Sequence, residues 1–302
     1  MARATPASTA VGAMTPLDLG AAFSVILIWA FNFVAAKIGV TQIPALMLLA
    51  LRFALVAVML SPFLRWPGRR WPWVIAVSVV LGGFHFGLLF VGLQGVDAGP
   101  AAIALQLTVP FSSLLAWIVY RERMGPLQLV GLVVAFVGVY VLAGDPTRDP
   151  SIPHLILVVA GAFAWAAANV TIKRLGPINV FNLNAWVALL AAPQLFLASL
   201  VIEDSQFAAM ANADWRAWAA MAYMALGASI AGYGLWYYLI GKYEMNRVVP
   251  LTLLSPVLAV LLAVAVLDEP LNVRIIIGGV VTIAGVAMIQ FLGARRVQAS
   301  QP

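Results

Sequence analysis

Cysteine is absent from all 302 residues, which excludes disulfides, thiolate metal sites and a cysteine nucleophile. Charge is almost as scarce. Only 9% of residues are charged and 64% are hydrophobic, where a soluble domain carries about a quarter charged, so a water-soluble fold would expose apolar surface that it could not cover. No Asp or Glu is expected inside the membrane. Without such acids, one intramembrane His and one Arg cannot supply the clustered groups of a membrane protease, transferase or phosphatase. The chain is therefore not expected to be an enzyme or to carry a metal or cofactor. No soluble module is legible either, the longest polar stretch being Glu203 to Asp214. Residues 1–16 hold no hydrophobic core of their own, so the first helix is expected to act as the targeting signal.

What is present is a succession of apolar runs long enough to cross about 30 Å of hydrocarbon. They lie at Leu17 to Lys37, Ile43 to Leu64, Trp71 to Leu93, Ala98 to Tyr120 and Pro126 to Ala143. A second set follows at Ile152 to Ile172, Phe181 to Ile202, Trp215 to Ile240, Val248 to Leu267 and Val273 to Leu292. Short connections make neighbours antiparallel. With the N-terminus inside, Arg3, Arg65, Arg69, Arg70, Arg121, Arg123, Lys173, Arg174, Lys242, Arg247, Arg295 and Arg296 face the cytoplasm, against Lys37, Arg148, Arg216 and Arg274 outside. That twelve-to-four bias places both termini in the cytoplasm. The same scatter of basic residues makes no basic stripe, so nucleic acid is not a partner despite the net charge of +6.

Two halves are legible. Trp29, Asn32 and Lys37 recur as Trp165, Asn169 and Lys173, with both Trp-to-Lys gaps eight residues. Later, Glu122, Gly131 and Gly138 match Glu269, Gly278 and Gly285 at an offset of 147, and Pro110 matches Pro256 at 146. A duplicated five-helix unit explains this order. Because five is odd, the second copy enters from the opposite side, which is the inverted-repeat architecture of secondary transporters. The expected fold is an all-α membrane protein of ten helices, with repeats at 17–143 and 152–292 between cytoplasmic tails 1–16 and 293–302.

The run Trp29-Ala-Phe-Asn-Phe-Val-Ala-Ala-Lys37, the Leu51-Arg-Phe53 of the second helix, and Glu122 and Glu269 ahead of Gly-rich fifth and tenth helices resemble the drug/metabolite transporter superfamily, EamA type. Gly232-Tyr-Gly-Leu-Trp236, Gly241-Lys-Tyr-Glu244 and Arg247-Val-Val-Pro250-Leu resemble its bacterial O-acetylserine/cysteine exporter branch. The resemblance implies a basket-shaped inner-membrane exporter of amino-acid-like metabolites. Aromatic amino acids or cationic drugs are the alternative cargo, and a receptor or scaffold is the alternative of another class. Partners are then a small-molecule substrate and the lipid bilayer, for a monomer or homodimer.

Arg52 falls about 13 Å into its helix at 1.5 Å per residue, where a cation costs roughly 2.5–3.5 kcal/mol on insertion scales. It either holds a substrate carboxylate or pairs with helix carbonyls. His85 is the other chargeable group, with an ordinary pKa of about 6.5, and is either a proton handle or a neutral hydrogen-bonding residue. Trp29 with Asn32, Trp165 with Asn169, Gln106 with Pro110, and Ser255 beside Pro256 share helix faces, as does the aromatic stripe Tyr233, Trp236 and Tyr237. Each group can line a cavity or pack helices. Pro110 and Pro256 can shape a hinge by freeing a carbonyl, and Glu122 and Glu269, mirrored on opposite faces, can act as gating or structural latches.

Overall fold

The computed structural model describes residues 14–121, 124–143, 152–243 and 245–299, with backbone alone at residues 245–246 and 292–299. It is helical throughout. The helices are α1 Pro16–Val40, α2 Ala45–Phe63, α3 Gly68–Gly95, α4 Ala98–Tyr120, α5 Pro126–Ala143, α6 Ile152–Leu175 and α7 Val180–Ile202. There follow α8, made of Trp215–Tyr223, Met224–Gly232 and Tyr233–Lys242, then α9 Val249–Leu267 and α10 Val273–Phe291. Among the described residues nine of these are long and apolar enough to cross a membrane. The exception is α8, which has the length but is enriched in Gly, Tyr and Trp. A helix with that composition needs neighbours or water, not lipid, on its polar face.

The contacts obey the exchange of halves. Swapping α1–α5 with α6–α10 turns α1 on α8 into α6 on α3, and α1 on α9 into α6 on α4, while α2 on α7 and α5 on α10 map onto themselves; all six packings occur. Polar ties between helix ends confirm the inversion. Call the end of the bundle where α1 begins the near face. Glu203, closing α7, accepts from the amides of Leu46 (2.8 Å) and Met47 (3.1 Å) at the start of α2 on the far face. Glu269, after α9, accepts from Ala98 (2.7 Å) and Gly99 (3.0 Å) at the start of α4, also far. On the near face Asn182 of α7 accepts from the Arg65 amide at 2.9 Å. Each bond joins ends that coincide only if the second half runs upside down. Helix-start amides have no intrahelical acceptor, so each carboxylate satisfies two orphan donors. Burial pushes the Glu269 carboxyl up, against the amide bonds from Gly99 and Ala98 that lower it.

The seam between α5 and α10 is made of the matched glycines. A Cβ at Gly131 would stand 2.8 Å from the Gly285 carbonyl oxygen, and one at Gly278 2.8 Å from that of Gly138. In a membrane, where apolar burial gives little drive to helix association, such backbone approach lets dispersion hold the helices.

The duplicated units also break alike. In α3 the stretch Ser78–His85 is π-helical, and in α8 so is Met224–Gly232. Extra residues per turn widen the helix and are common at functional sites. In α4 the ladder loosens at Gln106 and Leu107 before Thr108–Tyr120, and α9 begins as the 3₁₀ segment Val249–Leu253 before Leu254–Leu267. Pro110 and Pro256 sit in the first turn after each break, where a missing N–H leaves nothing unpaired. They mark helix starts rather than freeing an interior carbonyl. Both second segments end on a left-handed non-glycine cap, Arg121 (φ 55°) and Asp268 (φ 54°). Glu122 lies outside the described residues.

Gly138→Leu or Gly278→Leu is expected to cost more than about 3 kcal/mol, since the obstacle is backbone that cannot give way, and thermal unfolding in detergent should show it. Gly20→Leu, with nothing within 4 Å of its Cβ position, should leave the melting temperature unchanged. Glu269→Ala should destabilise by about 1–3 kcal/mol through two orphaned amides, read in the same measurement.

Candidate functional site

Helix α2 between Ala45 and Leu60 is apolar at every position but one. Arg52 lies seven residues in, about 10 Å along the axis, and is 3% exposed. Its Nη2 donates to the Ser229 hydroxyl at 3.0 Å. Ser229 sits in the π-helical stretch of α8 and donates in turn to the Met224 carbonyl at 3.0 Å. The guanidinium carbon lies 5.1 Å from the centre of the Phe86 ring and 5.8 Å from those of Phe53 and Phe90. Nε and Nη1 have no hydrogen-bond partner among the described residues. One neutral hydroxyl and three ring faces do not compensate a buried cation, because removal from water costs several kcal/mol unless an anion or further acceptors replace it. The helix carbonyls weighed as alternative partners do not take these donors.

His85 ends the π-helical stretch of α3 within electrostatic range of Arg52. Its Nδ1 lies 2.9 Å from the Gly161 carbonyl, so that nitrogen carries the proton, and Nε2 is buried without a partner. Gly161 allows this approach, since a Cβ there would come within 3.3 Å of the His85 carbonyl oxygen. The Trp165 ring stands edge-on to His85 with centroids 4.5 Å apart. In the other half Trp29 takes the matching place, 5.6 Å from Tyr233 and 5.4 Å from Trp236, with its Nε1 donating to the Ala228 carbonyl at 3.4 Å. Tyr237 stacks on Tyr233 at 6.0 Å and meets Phe181 at 6.1 Å.

Phe53, Val56, Leu81, Phe86, Asn184, Val187, Ser229 and Tyr233 line a cavity of about 30 Å³ beside the guanidinium. That is room for about two water molecules and not for an amino acid. On the near-face side of Tyr233 a run of rings follows, where Phe181 packs on Phe63 at 5.2 Å and on Tyr237.

The structure thus gathers Arg52, His85, Trp165, Trp29, Tyr233, Trp236 and Tyr237 about one core. Asn32 presents a buried, unpartnered Oδ1 on α1. Asn169 is exposed, so its match to Asn32 does not extend to environment. Gln106 and Ser255 are half-buried at the breaks of α4 and α9, away from the residues lining the cavity. Sequence reasoning missed Ser229 and Asn184. Ser229 was within reach, since it lies one helical turn before Tyr233 on the stripe already identified. It also placed no acid within the membrane segments, whereas Asp18, in the first turn of α1, is wholly buried.

Residues 18–144 and 152–291 each match the EamA-like transporter family. A "Probable amino-acid metabolite efflux pump" of Escherichia coli (strain K12) is 33% identical over 273 residues, covering 87% of this chain and 91% of its own. The protein of that name from Salmonella typhimurium is equally similar, and the "Uncharacterized transporter YoaV" of Bacillus subtilis is 26% identical over 90% of this chain and 96% of its own. A crystal structure 21% identical in sequence, with a TM-score of 0.62, covers 94% of this chain and 99% of its own and supports the fold. Two family matches that divide the sequence where its internal repeat divides it place this chain in the EamA-like transporter family.

Proposed function

We propose that this protein is an inner-membrane secondary transporter that exports a small amino acid or amino-acid derivative by alternating access. The observation that carries the reading is the Arg52 guanidinium, buried at mid-membrane with two nitrogens unpartnered. A carboxylate answers that arrangement, since charge-assisted bonds to a guanidinium are among the strongest side-chain interactions. A cationic drug does not, because it would meet a like charge in a low-dielectric site. Cargo of the O-acetylserine or cysteine kind supplies that carboxylate and asks little enlargement of the cavity compared with larger cargo, and the efflux-pump names of two relatives support the direction. His85, its Nδ1 proton engaged by Gly161, offers Nε2 as an acceptor, and Tyr233 lines the cavity with Trp29 and Tyr237 against its ring, Trp236 against Trp29 and Trp165 against His85. The excess of Lys and Arg on the near face supports that face as the cytoplasmic one.

The test is counterflow in proteoliposomes loaded with O-acetylserine, cysteine, an aromatic amino acid or a cationic dye. Small amino acids should exchange and the dye should not. Arg52→Ala should weaken apparent affinity for a carboxylate cargo by roughly 30-fold or more, as truncation of one partner in a buried charge pair does, with Arg52→Lys intermediate. Unchanged affinity in both variants removes Arg52 from the site, and dye exchange without amino-acid exchange removes the substrate class.

A further inference from the structure

A dense polar cluster lies at the near face and belongs to neither half alone. Asp18, 0% exposed in the first turn of α1, accepts from Tyr243 Oη at 2.6 Å, Lys242 Nζ at 2.8 Å and Tyr238 Oη at 2.9 Å, and from the Thr15 hydroxyl. Lys242 also reaches Tyr238 at 3.1 Å. Three of the four donors belong to the second half, more than 200 residues along the chain, at the end of α8. That helix is the one carrying Ser229 and Tyr233 into the cavity. Tyr238 and Lys242 follow Tyr233 by five and nine residues, about 8 and 14 Å toward the near face.

The carboxylate ties at the starts of α2 and α4 differ in kind. Glu203 and Glu269 satisfy main-chain amides at the starts of α2 and α4, donors that no movement frees from needing an acceptor. Asp18 is held by side chains, which can turn to water when α1 and α8 part. Its counterpart across the repeat is His154, 136 residues on, the spacing that also relates Trp29 to Trp165. At the far face the first turn of α6 packs closely on α3. A Cβ on Gly92 would stand 2.8 Å from the His154 carbonyl oxygen, and one on Gly95 would overlap its ring.

We propose that the Asp18–Tyr238–Lys242–Tyr243 cluster is the near-face gate latch. It is made while the chamber is shut to the near face and broken each time it opens there, and it biases the resting population toward the shut state. This rests on the alternating-access reading given above.

The chain's lack of cysteine makes a single introduced thiol a clean reporter. Val187→Cys, in the cavity lining, is labelled with a membrane-impermeant maleimide added to either face of vesicles whose sidedness is set by an N-terminal tag. In the Asp18→Asn background the near-face rate should rise roughly tenfold or more and the far-face rate should fall, since at least one charge-assisted bond is lost from the shut state alone. Tyr243→Phe and Lys242→Met should each do the same to a smaller degree, and they decide the matter if Asp18→Asn does not fold. Unchanged rates in folded variants, or a rise from both faces, overturn the latch and leave the cluster a static brace. If the parent reporter is labelled from one face only, with and without cargo, alternating access itself fails. That outcome is distinct from the first two.

Discussion

A guanidinium taken out of water at the middle of a membrane, with most of its donors unanswered by protein, is the constraint around which the rest of this molecule is arranged. Such a charge cannot face lipid. It must lie where helices from both halves converge. Helix α2 can carry Arg52 only because α8 supplies Ser229, α3 supplies Phe86 and α7 closes the other side. The demand explains why α8 is the least apolar of the ten helices. Its Ser229 and Tyr233 line the cavity.

Enclosing that charge between two upside-down copies of one unit also supplies a means of movement. The halves are fastened through the glycine seam of α5 and α10, where backbone meets backbone and sliding is resisted by close packing. Around the cavity the fastening is different. The π-helical stretches of α3 and α8 and the broken starts of α4 and α9 place irregular backbone on the helices that pack about α1 and α6. A tight seam on one side and loosened helices on the other are what the proposed alternating access requires, with the breaks as the places where the halves can part.

Much of this was legible in the residues because the repeat is written in them. The spacing of Trp29 and Lys37 against Trp165 and Lys173, and of the paired glycines, carries over directly into contacts, and the lone Arg in an apolar run had to be interior. What escaped was set by backbone rather than by pattern. A π-helical stretch shifts every later side chain around its helix, so the one-turn spacing that links Ser229 to the aromatic stripe does not by itself say that the stripe turns inward. Asp18 sits so near the end of its span that it reads as a headgroup residue, and its burial depends on two tyrosines and a lysine more than 200 positions away. Asn169 errs the other way, sharing the spacing of a buried partner but not its surroundings.

The account stands or falls on whether the Arg52 donors receive a carboxylate. Isothermal titration of the purified protein with a small amino acid and with its carboxamide, which keeps the ammonium and the side chain but carries no negative charge, addresses this without any transport assay. The acid should bind at least tenfold more tightly than the amide to the native protein, a difference of about 1.4 kcal/mol, and Arg52→Gln should abolish the preference. Equal binding of acid and amide by the native protein, or a preference that survives in Arg52→Gln, would contradict it.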